Sequence, residues 1–130
     1  LNVKEATMKY AAIPIGALGS WIALVSLTMA QSQHVSEAIT HAQAAVAQGQ
    51  QGYPEALVGQ AQEALKHAEM AKKEIKSPHL EEGMRFLRDA IDRGKQGQGE
   101  PATKSAESAL MHFQELNQAS AETAQGESGY

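Results

Sequence analysis

Nothing constrains this chain more than its agreement with itself at a displacement of 45 residues, where positions 34–71 align with 79–116 without a gap. His34 meets His79, Glu37 meets Glu82, Ala45 meets Ala90 and Gly49 meets Gly94. Further along, Gln51, Gly52 and Glu55 fall on Gln96, Gly97 and Glu100, and Ala61, Ala64, Leu65 and His67 fall on Ala106, Ala109, Leu110 and His112. Eleven identities in 38 positions exceed what an alanine-rich composition supplies by chance, so an internal duplication is the natural explanation.

Each copy reads as helix, glycine-rich turn, helix. The turns are GQQGYP at 49–54 and GKQGQGEP at 94–101, where glycine ends one helix and proline opens the next. Pro54, Pro78 and Pro101 all sit at such starts, and Ser77 is placed to cap the helix that begins at Pro78. The punctuation predicts helices over 33–48, 54–75, 79–94 and 101–119. Every one carries a heptad-like apolar stripe, for example Val35, Ala38, Ala42 and Ala45 in the first and Leu80, Met84, Leu87 and Ile91 in the third. Such stripes and short loops predict an all-α fold, an antiparallel up-down four-helix bundle made from a duplicated helical hairpin. The expected organisation is an N-terminal segment over 1–30, the bundle over 31–119 and a flexible tail over 120–130.

Tyr10 to Ala30 run about twenty residues without a charge, which makes an apolar helix preceding the bundle. Met8, Lys9 and Tyr10 form a short positive n-region, and Thr28-Met29-Ala30 resembles a small-residue cleavage site. The segment is therefore expected to be a signal peptide, with a retained transmembrane anchor as the alternative. The leading Leu1 suggests an unusual start codon or an upstream start, with Met8 as a candidate initiator. Either reading places residues 31 onward outside the cytoplasm. The expected location is the periplasm, as a released protein or one anchored in the inner membrane.

Composition removes several functions. With no cysteine there are no disulfides, thiolate metal sites or cysteine nucleophiles. Eleven Lys+Arg against fifteen Asp+Glu give no basic face for nucleic acid. The densest basic cluster, Lys72, Lys73 and Lys76, belongs in the last turn of a helix, where cations suit the helix dipole. No nucleophile–base constellation, phosphate loop or cofactor motif is present, so a binding protein is expected rather than an enzyme.

The remaining chemistry lies in five histidines, His34, His41, His67, His79 and His112. Each immediately precedes an apolar a position, which puts all five at g, on one flank of the seam. In a hairpin folded about residues 51–52, His34 and His67 lie within about one helical turn in height, and the repeat imposes the same relation on His79 and His112. Glu37, Glu69, Glu82 and Glu115 lie within a turn of these rings as oxygen donors. Two imidazoles and a carboxylate suit a divalent late first-row ion, with copper favoured and nickel or zinc as alternatives. His34 and His41 are seven residues apart, two turns along one face, and are expected to be too distant for one ion. Binding should need unprotonated imidazole and weaken as pH falls through about 6.5. The plain alternative is that the rings merely line a bundle edge, leaving a membrane-tethered helical subunit of a larger membrane complex.

The segments HVSEAITHAQAAVAQGQQGYPEAL, AQEALKHAEMAKKE and HLEEGMRFLRDAIDRGKQGQGEPATKSAESALMHF resemble the small metal-binding protein family over residues 33–117. The resemblance leaves out the N-terminal segment and the tail. It implies an exported four-helix bundle that binds copper and other divalent metals through histidines without catalysing a reaction. Residue by residue it carries over only to His34, His41, His67, His79 and His112, because Gln48, Gln51, Tyr53 and Phe86 stand where a histidine-rich relative would have more. That limits the expectation to one or two sites.

Overall fold

A computed structural model describes residues 33–126, with side-chain surroundings through residue 122. The described residues form four helices and no strand: α1 over 33–50, α2 over Pro54–Lys72, α3 over Pro78–Lys95 and α4 over Gly99–Gly126. The apolar segment at 10–30 lies outside the described residues. Among those that are described, no helix is long and apolar enough to cross a membrane.

Proline and glycine set the turns as their chemistry requires. Pro54 and Pro78 open α2 and α3, where a missing N–H costs no hydrogen bond. Gly52 and Gly97, the same position in the two copies, adopt φ of 84° and 73°, a left-handed conformation that side chains with a Cβ resist. Backbone bonds from Tyr53 N to Gln48 O and from Gln98 N to Arg93 O, 3.0 and 2.9 Å long, close the two turns in parallel fashion.

Six boundaries differ from the sequence expectation, α1 ending at 50 rather than 48 and α3 spanning Pro78–Lys95 rather than 79–94 among them. The second helix stops at Lys72 rather than 75, because the chain tightens over Ala71 and returns Ile75 to the core. The fourth starts at Gly99 and runs to Gly126, beyond the end expected at 119. Its extension is rich in Ala, Gln and Glu and meets no proline, and the Ser120 hydroxyl donates to the Leu116 carbonyl. Ser77 does occupy the N-cap of α3, but its side chain makes no capping hydrogen bond. Its carbonyl instead receives the Glu81 N–H.

The heptad stripes form one core. Every a-position residue that follows a histidine is buried: Val35, Ala42, Ala68, Leu80 and Phe113. Eleven of the nineteen buried apolar residues are alanine, so the helices approach closely and each contact contributes little. The larger side chains are unevenly shared. Leu80, Met84, Leu87, Ile91, Phe113 and Leu116 all belong to α3 and α4, whereas α1 and α2 bury only Val35 and Leu57 among larger residues. The second hairpin is the better packed, and the histidines sit along the flank of this core.

Candidate metal centre

In the first hairpin the three histidines form a ladder with His67 in the middle. The His67 ring lies 5.8 Å from His34 and 5.5 Å from His41, nearly parallel to the latter. The partners are residues at equal distances from the turn: His34 opposes His67, and His41 opposes Gln60. A hydrogen bond of 2.9 Å joins His41 Nδ1 to Gln60 Oε1. With the amide oxygen as acceptor, His41 carries its proton on Nδ1 and presents Nε2 to a ligand. Ligand atoms of Glu37, His41 and His67 all lie within 4.8 Å of one another, and all three residues are half-buried.

The second hairpin repeats the arrangement with different partners. His79 and His112 are 5.9 Å apart at a tilt of 35°, against 34° for His34 and His67. Glu115 Oε2 sits 3.0 Å from His79 Nδ1 and 3.4 Å from His112 Nδ1. These three residues also bring ligand atoms within 4.8 Å of one another. Phe86 stacks on His112 at 5.5 Å, the position His41 holds against His67.

Among the expected site residues, His67 has two neighbouring imidazoles rather than one. His34 and His41 are indeed on successive stretches of one face, but His67 enters between them from α2. The group with metal-ligand spacing in this hairpin is Glu37, His41 and His67, with His34 beside it, rather than His34 and His67 alone. Of the proposed oxygen donors, Glu37 and Glu115 are in place. Glu69 and Glu82 instead face Arg88 and Arg85 at 3.5 and 2.8 Å. Met111, adjacent to His112 in sequence, is exposed. Gln60 went unnoticed in the sequence, although the hairpin arithmetic that pairs His34 with His67 also pairs residue 41 with 60.

Whether the residues fit a metal is answered by their unmet bonding. The Nδ1 atoms of His34, His67 and His112 are buried without a hydrogen-bond partner. The 3.4 Å approach of Glu115 to His112 lacks hydrogen-bond geometry. A buried polar atom left unpaired costs about 1–3 kcal/mol. Three such atoms, all on imidazoles gathered with carboxylates, suit a ligand that accepts lone pairs.

The comparison with known families agrees. The family model described as small metal-binding protein matches residues 8–116. The chain belongs to the small metal-binding protein family. Among curated proteins, none matches this sequence. The small metal-binding protein match begins at Met8 and therefore takes in the apolar segment, which the residue-level resemblance left out. It ends at Leu116, the last buried residue of α4 among those with described surroundings.

Proposed function

We propose that this protein is an exported, non-catalytic binder that buffers or sequesters a divalent late first-row ion, copper first, in its two helical hairpins. One observation carries the reading. His67 and His112 occupy the same position of the repeat, each with a buried Nδ1 that lacks a partner, and each beside a second imidazole and a carboxylate. Imidazole nitrogen with one carboxylate oxygen is a donor set for copper, nickel or zinc, and affinity rises toward copper in that series. Opposed pairs at constant distance from each turn support an antiparallel up-down arrangement, in which both seats open on the flank of the bundle. Inclusion of the apolar segment in the family match supports a location outside the cytoplasm. A buffer needs seats that fill and empty, and half-exposed imidazoles at a bundle edge provide them without a preformed cage.

Calorimetric titration of the chain with copper(II) at neutral pH tests the reading. Saturable binding tighter than about micromolar, or about 8 kcal/mol, is expected. The double variant His67→Asn, His112→Asn should lose it while keeping its helical circular dichroism. Unchanged binding in that variant would remove these histidines from the function.

A further inference from the structure

The duplication allows each hairpin to serve as the reference for the other, and around the metal seats the two copies do not match. Two pairs are retained: His34 with His79, and His67 with His112. Three have diverged. His41 corresponds to Phe86, Met70 to Glu115, and Thr40 to Arg85. The consequence is geometric as well as chemical. In the first hairpin the carboxylate comes from Glu37 and the second imidazole from His41. In the second hairpin the carboxylate comes from Glu115 and the second imidazole from His79, the counterpart of His34. The group has thus shifted along the shared flank between the copies, pivoting on His67 and His112.

The counterpart of the first group is blocked. Glu82, which corresponds to Glu37, is held by the Arg85 guanidinium at 2.8 Å and 3.0 Å. The same guanidinium lies 4.3 Å over the Phe86 ring, which in turn covers His112. A cation and a hydrocarbon face therefore stand where the first hairpin offers a carboxylate and an imidazole. Among the described residues no basic side chain pairs with Glu37, and Gln60 orients His41. The remaining seat in the second hairpin is more open, with the His79 and Glu115 side chains 43% and 45% exposed. Its carboxylate already lies 3.0 Å from His79 Nδ1, so an incoming ion must replace that contact. The first hairpin also holds a third imidazole, His34, next to His67 with its Nδ1 unpartnered. The second has no such spare, because Phe86 cannot donate.

From these differences we infer that the two hairpins are non-equivalent metal seats filled in order. The first ion is held by Glu37, His41 and His67, with the unpartnered His34 imidazole adjoining that seat, and a second, weaker ion is held by His79, His112 and Glu115. This rests on the metal-binding reading above and adds to it the order of filling and the residues that set it. A buffer built this way responds over a wider range of ion concentration than one with two identical seats.

The test uses copper(II) and the whole chain, read by calorimetry and by paramagnetic broadening of assigned histidine ring signals. The expected isotherm has two steps, the first at least tenfold tighter, with His41 and His67 broadened before His79 and His112. The variant Arg85→Thr, Phe86→His rebuilds in the second hairpin the Thr40–His41 pair of the first and frees Glu82. Its second step should tighten at least tenfold. Two equal steps with all four rings broadened together would overturn the inference while leaving metal binding intact. So would a folded double variant whose second step does not move. Absence of any saturable binding would instead overturn the metal reading itself, and this ordering with it.

Discussion

At Gly83 the α3 backbone passes directly under the fully buried Phe113 ring, and a Cβ built there would stand 2.8 and 2.9 Å from two ring carbons, inside contact distance. Gly59 in α2 has nothing within 4 Å of the same imaginary atom. The pair separates packing from helix propensity. Alanine gains about 1 kcal/mol over glycine in a helix interior, whereas overpacking a core costs typically 1–3 kcal/mol. Gly59→Ala is therefore expected to stabilise by up to about 1 kcal/mol, and Gly83→Ala to destabilise by about 1 kcal/mol net. Urea midpoints measured on both variants check the signs, and a stabilising Gly83→Ala would mean that Phe113 can move aside freely. At this scale the candidate site was partly legible. The repeat made His67 and His112 equivalent, and their common g register put them on the seam's flank. The role of His41 was not legible, because seven-residue spacing within one helix says nothing of what a facing helix inserts between. Phe86 is marked in the sequence only as standing where a relative would carry a histidine, and Arg85 not at all; their effect depends on a guanidinium reaching Glu82 and on a ring covering His112.

Between elements, α3 and α4 are joined on the outside of the core by a small polar clamp. The Ser105 hydroxyl donates to Asp89, and Arg93 Nε donates to the same carboxylate oxygen at 2.7 Å. The first hairpin has Ala44, Gln48 and Gln60 at the corresponding positions, and there Gln60 serves His41 instead. The Ser105 hydrogen bond is the largest influence holding the Asp89 carboxyl below its ordinary value, with Arg93 adding to it against the opposing effect of burial. The folded state therefore keeps Asp89 ionised to lower pH than the unfolded chain does. The clamp's stabilising contribution is complete above the unfolded carboxyl range, near about pH 4, and is lost as pH falls through the lower native value. Replacing Ser105 with Ala should raise the Asp89 value toward that of an ordinary carboxyl, as followed by carboxyl chemical shift against pH. An unchanged titration would assign the depression to the Arg93 and Arg85 guanidiniums. The helices that carry this clamp were legible from proline and glycine, which act locally. Their ends were less so: α2 stops early because Ile75 turns back onto the core, and α4 continues because no residue before Gly126 interrupts it.

Over the described residues most of the large apolar side chains are on one hairpin and most of the unmet imidazoles on the other. The second hairpin buries most of the large residues, including Phe113, Leu87 and Met84, and retains one unpartnered Nδ1, on His112. The first buries mainly alanine and carries two, on His34 and His67. Burying a leucine-sized side chain stabilises by about 1.5–3 kcal/mol, so the α1–α2 pair has the weaker apolar attachment. An ion shared by Glu37 and His41 of α1 and His67 of α2 would supply a cross-link where packing is thinnest. For an ion that binds only the folded chain, free metal at about 100 times the dissociation constant should add about 2.7 kcal/mol of stability. In a domain of this size that corresponds to a rise in Tm of roughly 10 °C or more. The gain should also be local. Amide hydrogen exchange in α1 and α2 should slow more than in α3 and α4 when one equivalent of copper(II) is added, since opening of the first hairpin then requires release of the ion. Equal slowing in all four helices would mean that the bundle opens as a unit, and that metal steadies the molecule without favouring its alanine-rich half.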